Sequence, residues 1–248
     1  MRLFRHEVRT QQLLFWRNKE SAIFVFIFPP MLFLLLGAVY DRQLEGFRSA
    51  DVLLVGLVGY GCANTAFAGL AITLVIRRES GVLKRVRATP LPPATYLVAV
   101  LCSTLFVFVL QVFLTMALSV GLYGGSGPRN WLGLGLTVLL GVASFAGMGF
   151  AAAALIRSAE GSSAVVQLIV LPMAFLSGAF GPTRSYPAFL QAISDVLPLT
   201  YLIRILKNVY LRGESFWADP RAILILLAWG VAGLLVAWRR FGWEPRER

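Results

Sequence analysis

Long stretches of this sequence carry no charge. Asp, Glu, Lys and Arg are absent from Val52 to Ile76, from Ala88 to Pro128 and from Asn130 to Ile156. Each gap exceeds the roughly 20 residues that cross a bilayer core. With 58% hydrophobic and 14% charged residues over 248 positions, an ordinary soluble domain is excluded, and the chain needs a lipid solvent. The missing intramembrane carboxylates and cations argue against a proton-coupled antiporter or an ion pump. A passive channel is disfavoured because no ring-forming charge or filter-like repeat is present. Cysteine is nearly absent: Cys62 and Cys102 lie in separate apolar runs with no partner at metal-ligand spacing and read as small buried side chains. The one histidine is His6, near the N-terminus, and no H-E-x-x-H pair exists, which removes an intramembrane metalloprotease and leaves a serine enzyme without a base. No G-x-x-x-x-G-K-[ST] loop occurs, so the chain does not bind ATP in the P-loop manner. No catalytic residue, cofactor or metal is expected in this chain, and the energy of any active transport comes from another polypeptide.

The apolar runs themselves predict six membrane-spanning helices at about residues 21–40, 52–76, 95–123, 131–156, 162–182 and 220–238. The net charge of +11 does not point to nucleic acid, because the cations cluster beside the spans as topology signals. Most of the 23 Lys and Arg fall in segments that share a side with the termini, which places both termini in the cytoplasm. The opening MRLFRHEVRTQQLLFWR lacks the apolar core and cleavage site of a signal peptide, so the first span is expected to be retained. Residues 1–20 alternate basic and apolar side chains, the pattern of an interfacial helix facing anionic membrane lipid; a solvated basic tail is the plainer alternative. Pro29 and Pro30 in span one and Pro172 in span five are expected to kink or open their helices. Dense small residues in spans two and four predict a compact bundle.

Between spans five and six, PLTYLIRILKNVYL (198–211) is amphipathic. Leu202, Ile205, Leu206 and Val209 share one face, and Gly213 supplies a stop. Arg204 and Lys207 would each cost about 2.5 to 3.5 kcal/mol at the centre of an isolated spanning helix. The segment is therefore placed at the outer membrane surface, as part of a helical hairpin. The largest cytoplasmic loop, residues 77–94, reads RRESGVLKRVRATPLPPA. Ser80 is expected to cap a short helix that ends before Pro90, with Val82, Leu83 and Val86 on one face and Lys84, Arg85 and Arg87 around it. Such an element suits docking to a partner; a plain positive-inside anchor explains the cations but not the cap, face and stop.

The pattern R-E-x-G-x-x-K-R-x-x-A-T-P-L after span two, with LSGAFGPTRSYPAFLQAISDVLPLTYLIRILKNVYLRG after span five, resembles the ABC-2 type permease family. The resemblance covers nearly the whole chain as a single domain, 1–248. It implies an all-α integral membrane fold with six transmembrane helices, an N-terminal interfacial helix (1–20), a cytoplasmic coupling helix (77–94) and an extracellular re-entrant helical hairpin (183–218). It further implies a pair of cytosolic ABC ATPase subunits that bind ATP and Mg, and a second permease chain, in a homodimer or a heterodimer. Arg78, Glu79, Gly81, Lys84, Arg85, Thr89 and Pro90 would then form the ATPase-coupling element. Substrate would pass between spans two and five of the two protomers, making Tyr60, Asn64, Thr65, Phe67, Gln167, Phe175 and Ser177 candidate pathway residues; hydrogen bonding between helices explains their character equally well. The implied function is the permease subunit of an exporter of amphiphilic drugs, lipids or glycoconjugates in a bacterial inner membrane. The alternative is a non-transporting scaffold or sensor that recruits a cytosolic partner.

Overall fold

The computed structural model describes residues 2–40, 43–183, 186–242 and 244. Met1, Arg184 and Ser185 of the expected interfacial helix and hairpin lie outside the described residues. Helix α1 (Arg2–Arg17) leads through Asn18 into α2 (Lys19–Val39). A two-residue β-ladder follows, β1 (Gln43–Leu44) against β2 (Phe47–Arg48). Its turn residues Glu45 and Gly46 both have positive φ, 53° and 81°, as a type I′ turn requires. Span two comprises α3 (Ser49–Cys62), a π-helical segment (Ala63–Gly69) and α4 (Leu70–Glu79). The short α5 (Val82–Arg87) precedes α6 (Pro93–Tyr123), α7 (Trp131–Leu155) and α8 (Ala159–Leu176). The hairpin is α9 (Ala188–Ser194) and α10 (Pro198–Lys207), the latter extended by a π turn to Arg212; α11 (Pro220–Arg240) closes the bundle.

Among the described residues, six helices are long and apolar enough to cross a membrane, and together they form an all-α integral membrane fold. Their ends follow local chemistry. Asn130, Ser158 and Asp219 accept hydrogen bonds from the backbone N–H of Gly133, Gly161 and Ala222, capping α7, α8 and α11. Span five was expected to reach residue 182 but ends at Leu176, because Gly178 turns the chain at φ 75°. Helices α2 and α8 run unbroken through their prolines, so the expected local opening does not occur. Span two is the hub, with 94% of its most apolar stretch buried.

The hairpin does not lie on the surface, where its two cations alone would place it, and its bent pair of helices has the form of a broken span or of the re-entrant element that the resemblance implies. Its two helices meet at 83°, and α10 packs into the bundle against α3, α7 and α11. Leu199 and Ile203 lie against Gly59, and the Trp229 indole N–H donates to the Val196 carbonyl at 3.2 Å. Gly59 is ten residues into span two, which puts the hairpin tip about 15 Å deep. The expected apolar face is correct, since Leu202, Ile205, Leu206 and Val209 are buried. The two cations do not resist insertion, for physical reasons. Arg204 is exposed and stacks 5.1 Å from the Tyr201 ring centroid, while Lys207 pairs with Glu45 of the β-turn at 2.8 Å.

Candidate functional site: a coupling loop and the cleft above it

Two adjacent residues at the end of α4 point to different neighbours. Arg78 is buried, with 1% of its side chain exposed. Its guanidinium donates to the carbonyls of Ala153 and Ile156 at 2.7 Å and to Glu79 at 2.9 Å. These carbonyls belong to the last turn of α7, where backbone acceptors lack intrahelical donors and the helix dipole favours a cation. Arg78 thus ties span two to span four and presents nothing to a partner, unlike its expected place on a docking surface. Arg77 turns the other way, donating through Nη1 to the Gln11 side chain of α1 at 2.7 Å and the Tyr96 hydroxyl of α6 at 2.8 Å.

The loop beyond is built differently from its expectation. The residue capping α5 is Gly81, in the left-handed region at φ 72°. Ser80 instead donates back to the Arg77 carbonyl at 3.3 Å, satisfying the end of α4. Leu83 is fully buried and joins Leu74, Val75, Tyr96, Val100 and Ala153 in a small core. Val86 packs partly buried against the same core while Val82 is half-buried, so the centre of the apolar face of α5 is used inside the chain. Lys84, Arg85, Arg87, Thr89 and Pro90 remain exposed, and Glu79 is partly so. The Thr89 hydroxyl donates to the Val86 carbonyl at 2.6 Å and closes the helix end.

On the same side of the bundle, α1, α2, span two, α6 and α8 enclose a cleft of about 650 Å³, within the range of small-molecule sites. Tyr60, Asn64, Thr65 and Gln167 line it, as do Arg77, Ser103 and Phe28. Asn64 and Thr65 both reach it because the π-helical segment widens the turn there; such segments recur at functional sites. The Gln167 amide donates to Asn64 Oδ1 at 3.3 Å, and the Thr65 hydroxyl donates to Gln111 Oε1 at 3.1 Å. The other three candidates lie elsewhere. Phe67 is buried in the core. Phe175 is exposed on the outside of α8. Ser177 accepts from the Thr200 hydroxyl at 2.9 Å and ties α8 to the hairpin.

Gln111, buried in α6 and bonded to span two, was overlooked, although a lone amide in an uncharged run is the kind of feature that singled out Asn64. Gln111→Leu is expected to lower stability by about 1 kcal/mol, the scale of an interhelical hydrogen bond in a membrane. Thermal unfolding of the purified protein checks this, and an unchanged midpoint would show the bond to be dispensable.

With the helical bundle, buried span two and inserted hairpin in place, comparison with known proteins gives the class. The ABC-2 type transporter family matches residues 2–211, and the chain belongs to it. Similar proteins include the inner membrane transport permease YhhJ of Escherichia coli, 28% identical over 173 residues, covering 68% of this chain and 45% of the relative. The putative transport permease YvfS of Bacillus subtilis is 24% identical over 228 residues, covering 89% of each chain. The probable multidrug ABC transporter permease YbhS of Escherichia coli is 25% identical over 177 residues, 70% of this chain and 47% of that one. The chain thus spans about half the length of the Escherichia coli relatives.

Proposed function

We propose that this chain is the membrane-spanning permease subunit of an ATP-binding-cassette exporter in a bacterial inner membrane. A pair of cytosolic ATPase subunits would hold ATP and Mg, dock on the exposed basic side of α5, and drive the outward movement of an amphiphilic drug, lipid or glycoconjugate. A second permease chain, identical or related, would complete the pathway, with both termini on the ATPase side. One observation carries the reading: α5 follows span two after only Ser80 and Gly81, and span two lines the cleft from Tyr60 to Arg77. Arg78 locks the joint to α7, and Arg77 locks it to α1 and α6. A push on α5 is therefore transmitted to helices that line the cleft, because packed interiors shift as units rather than deform. The partner would meet Lys84, Arg85 and Arg87, with Glu79 and Thr89 at the margins. Gly81 and Pro90 set the ends of the element.

The test is a triple charge reversal, Lys84→Glu, Arg85→Glu and Arg87→Glu, in the full chain co-expressed with its host's ABC ATPases. Loss of the copurifying ATPase with membrane insertion intact is the expected result, since reversing close charges across an interface costs several kcal/mol. Retained association would overturn the docking assignment and favour a scaffold engaged elsewhere.

A further inference from the structure

The rim of the cleft carries a cation and a carboxylate that do not pair. Arg77 ends span two and Glu20 opens α2, and both line the same cavity at the α5 side of the bundle. Among the described residues the ion pairs are Arg78 with Glu79, Lys207 with Glu45 and Arg212 with Glu214. Arg77 and Glu20 are thus opposite charges held apart on one rim. Arg77 is positioned by two neutral acceptors, Gln11 and Tyr96, both engaged through Nη1. Neither acceptor neutralises the guanidinium.

Below the rim the cleft changes character. Phe24, Val25 and Phe28 of α2 face Val100 and Val107 of α6 across it. Of the amides that line it, Asn64 is bonded to Gln167 and Gln11 accepts from Arg77. From Arg77 to Tyr60 span two runs 17 residues, about 25 Å along the helix axis. The cavity is therefore a long, largely apolar shaft with separated plus and minus charges at one end. Its charged end lies at the helix ends, Glu20 in the first turn of α2 and Arg77 in the last turn of α4.

We propose that the cleft binds a zwitterionic amphiphile of the glycerophospholipid type, its phosphate on Arg77, its amine on Glu20 and its acyl chain along α2 and α6. An arginine fork suits phosphate oxygens. A carboxylate held a short way off suits an ammonium group and disfavours a purely anionic head. As cargo this ligand rests on the exporter reading above; as a bound lipid it does not.

The experiment is native mass spectrometry of the full chain in a mild neutral detergent, with equal amounts of dioleoyl phosphatidylethanolamine, dioleoyl phosphatidylglycerol and dioleoylglycerol added. Phosphatidylethanolamine is expected to be retained best and dioleoylglycerol least. Arg77→Gln should reduce retention of both phospholipids at least about tenfold, the loss expected for one charge-assisted contact. Glu20 is exposed, so Glu20→Gln leaves the fold intact and should abolish the preference for phosphatidylethanolamine over phosphatidylglycerol. Retention of dioleoylglycerol equal to the phospholipids, or an unchanged preference in Glu20→Gln, would overturn the proposal. No ATP or ATPase is present, so failure here and failure of the docking test are read separately. Lipids held on the outer surface contribute equally to wild type and variants and drop out of the comparison.

Discussion

Replacing Arg78 by alanine is expected to destabilise this protein by about 3 to 5 kcal/mol, the scale of removing one partner from a buried charged network. The guanidinium is 1% exposed and donates to the carbonyls of Ala153 and Ile156 and to Glu79. Without it, the carbonyls at the end of α7 lose their donors in a region closed to water, and a cavity the size of the side chain opens beside Ala153 and Ile156. Both effects carry a cost. Arg78→Lys keeps the charge but not the fork that spans two carbonyls, and should fall between. Arg85→Ala, seven residues further on and exposed, should change stability by no more than about 0.5 kcal/mol while weakening ATPase association. Thermal unfolding of the purified variants separates them. Equal midpoints for Arg78→Ala and Arg85→Ala would mean that Arg78 does not join spans two and four.

The contrast between these arginines shows what the sequence conveys and what it withholds. In the run RRES-G-VLKRVR every cation looks alike, because local spacing is all a reader has. The acceptors that remove Arg78 from the surface lie 75 and 78 residues away. The same holds for Lys207, whose partner Glu45 is 162 residues distant. As a lone cation it would keep the hairpin out of the bundle; paired with Glu45, it lets the hairpin in. The spans were legible because bilayer thickness imposes a run length that needs no tertiary partner. The buried stripe of α10 was legible for a similar reason, as helical periodicity is local. Within the cleft, Tyr60, Asn64, Ala68 and Ile72 recur every fourth residue on one side of span two; Phe67, seven residues after Tyr60, would share that side in a regular α-helix and is instead buried in the core. Nothing local announces the π-helical segment at Ala63–Gly69, which is decided by how span two packs against α7 and α8.

Helices α7 and α11 meet backbone to backbone, and a side chain introduced there is expected to have the other large effect. A Cβ built on Gly233 would stand 2.6 Å from the carbonyl carbon and oxygen of Gly147 and from the Met148 nitrogen. All three are backbone atoms, which cannot rotate aside. Gly230 meets the Ser144 Cα at 2.8 Å in the same way, so two turns of each helix touch without intervening side chains, as small-residue seams in membranes allow. Gly233→Leu must force the helices apart, and a loss of about 3 kcal/mol or more follows from overpacking at a rigid contact. Gly135→Leu, on the same α7 but with open space around it, is the matched control and should behave as wild type. The damage should reach further than the seam. Trp229, four residues before Gly233, holds the hairpin tip through the Val196 carbonyl, so a displaced α11 takes that anchor with it. Protease cleavage between α9 and α10 should accelerate in Gly233→Leu and not in Gly135→Leu. If Gly233→Leu resists protease as wild type does, the seam between α7 and α11 does not set the depth of the hairpin.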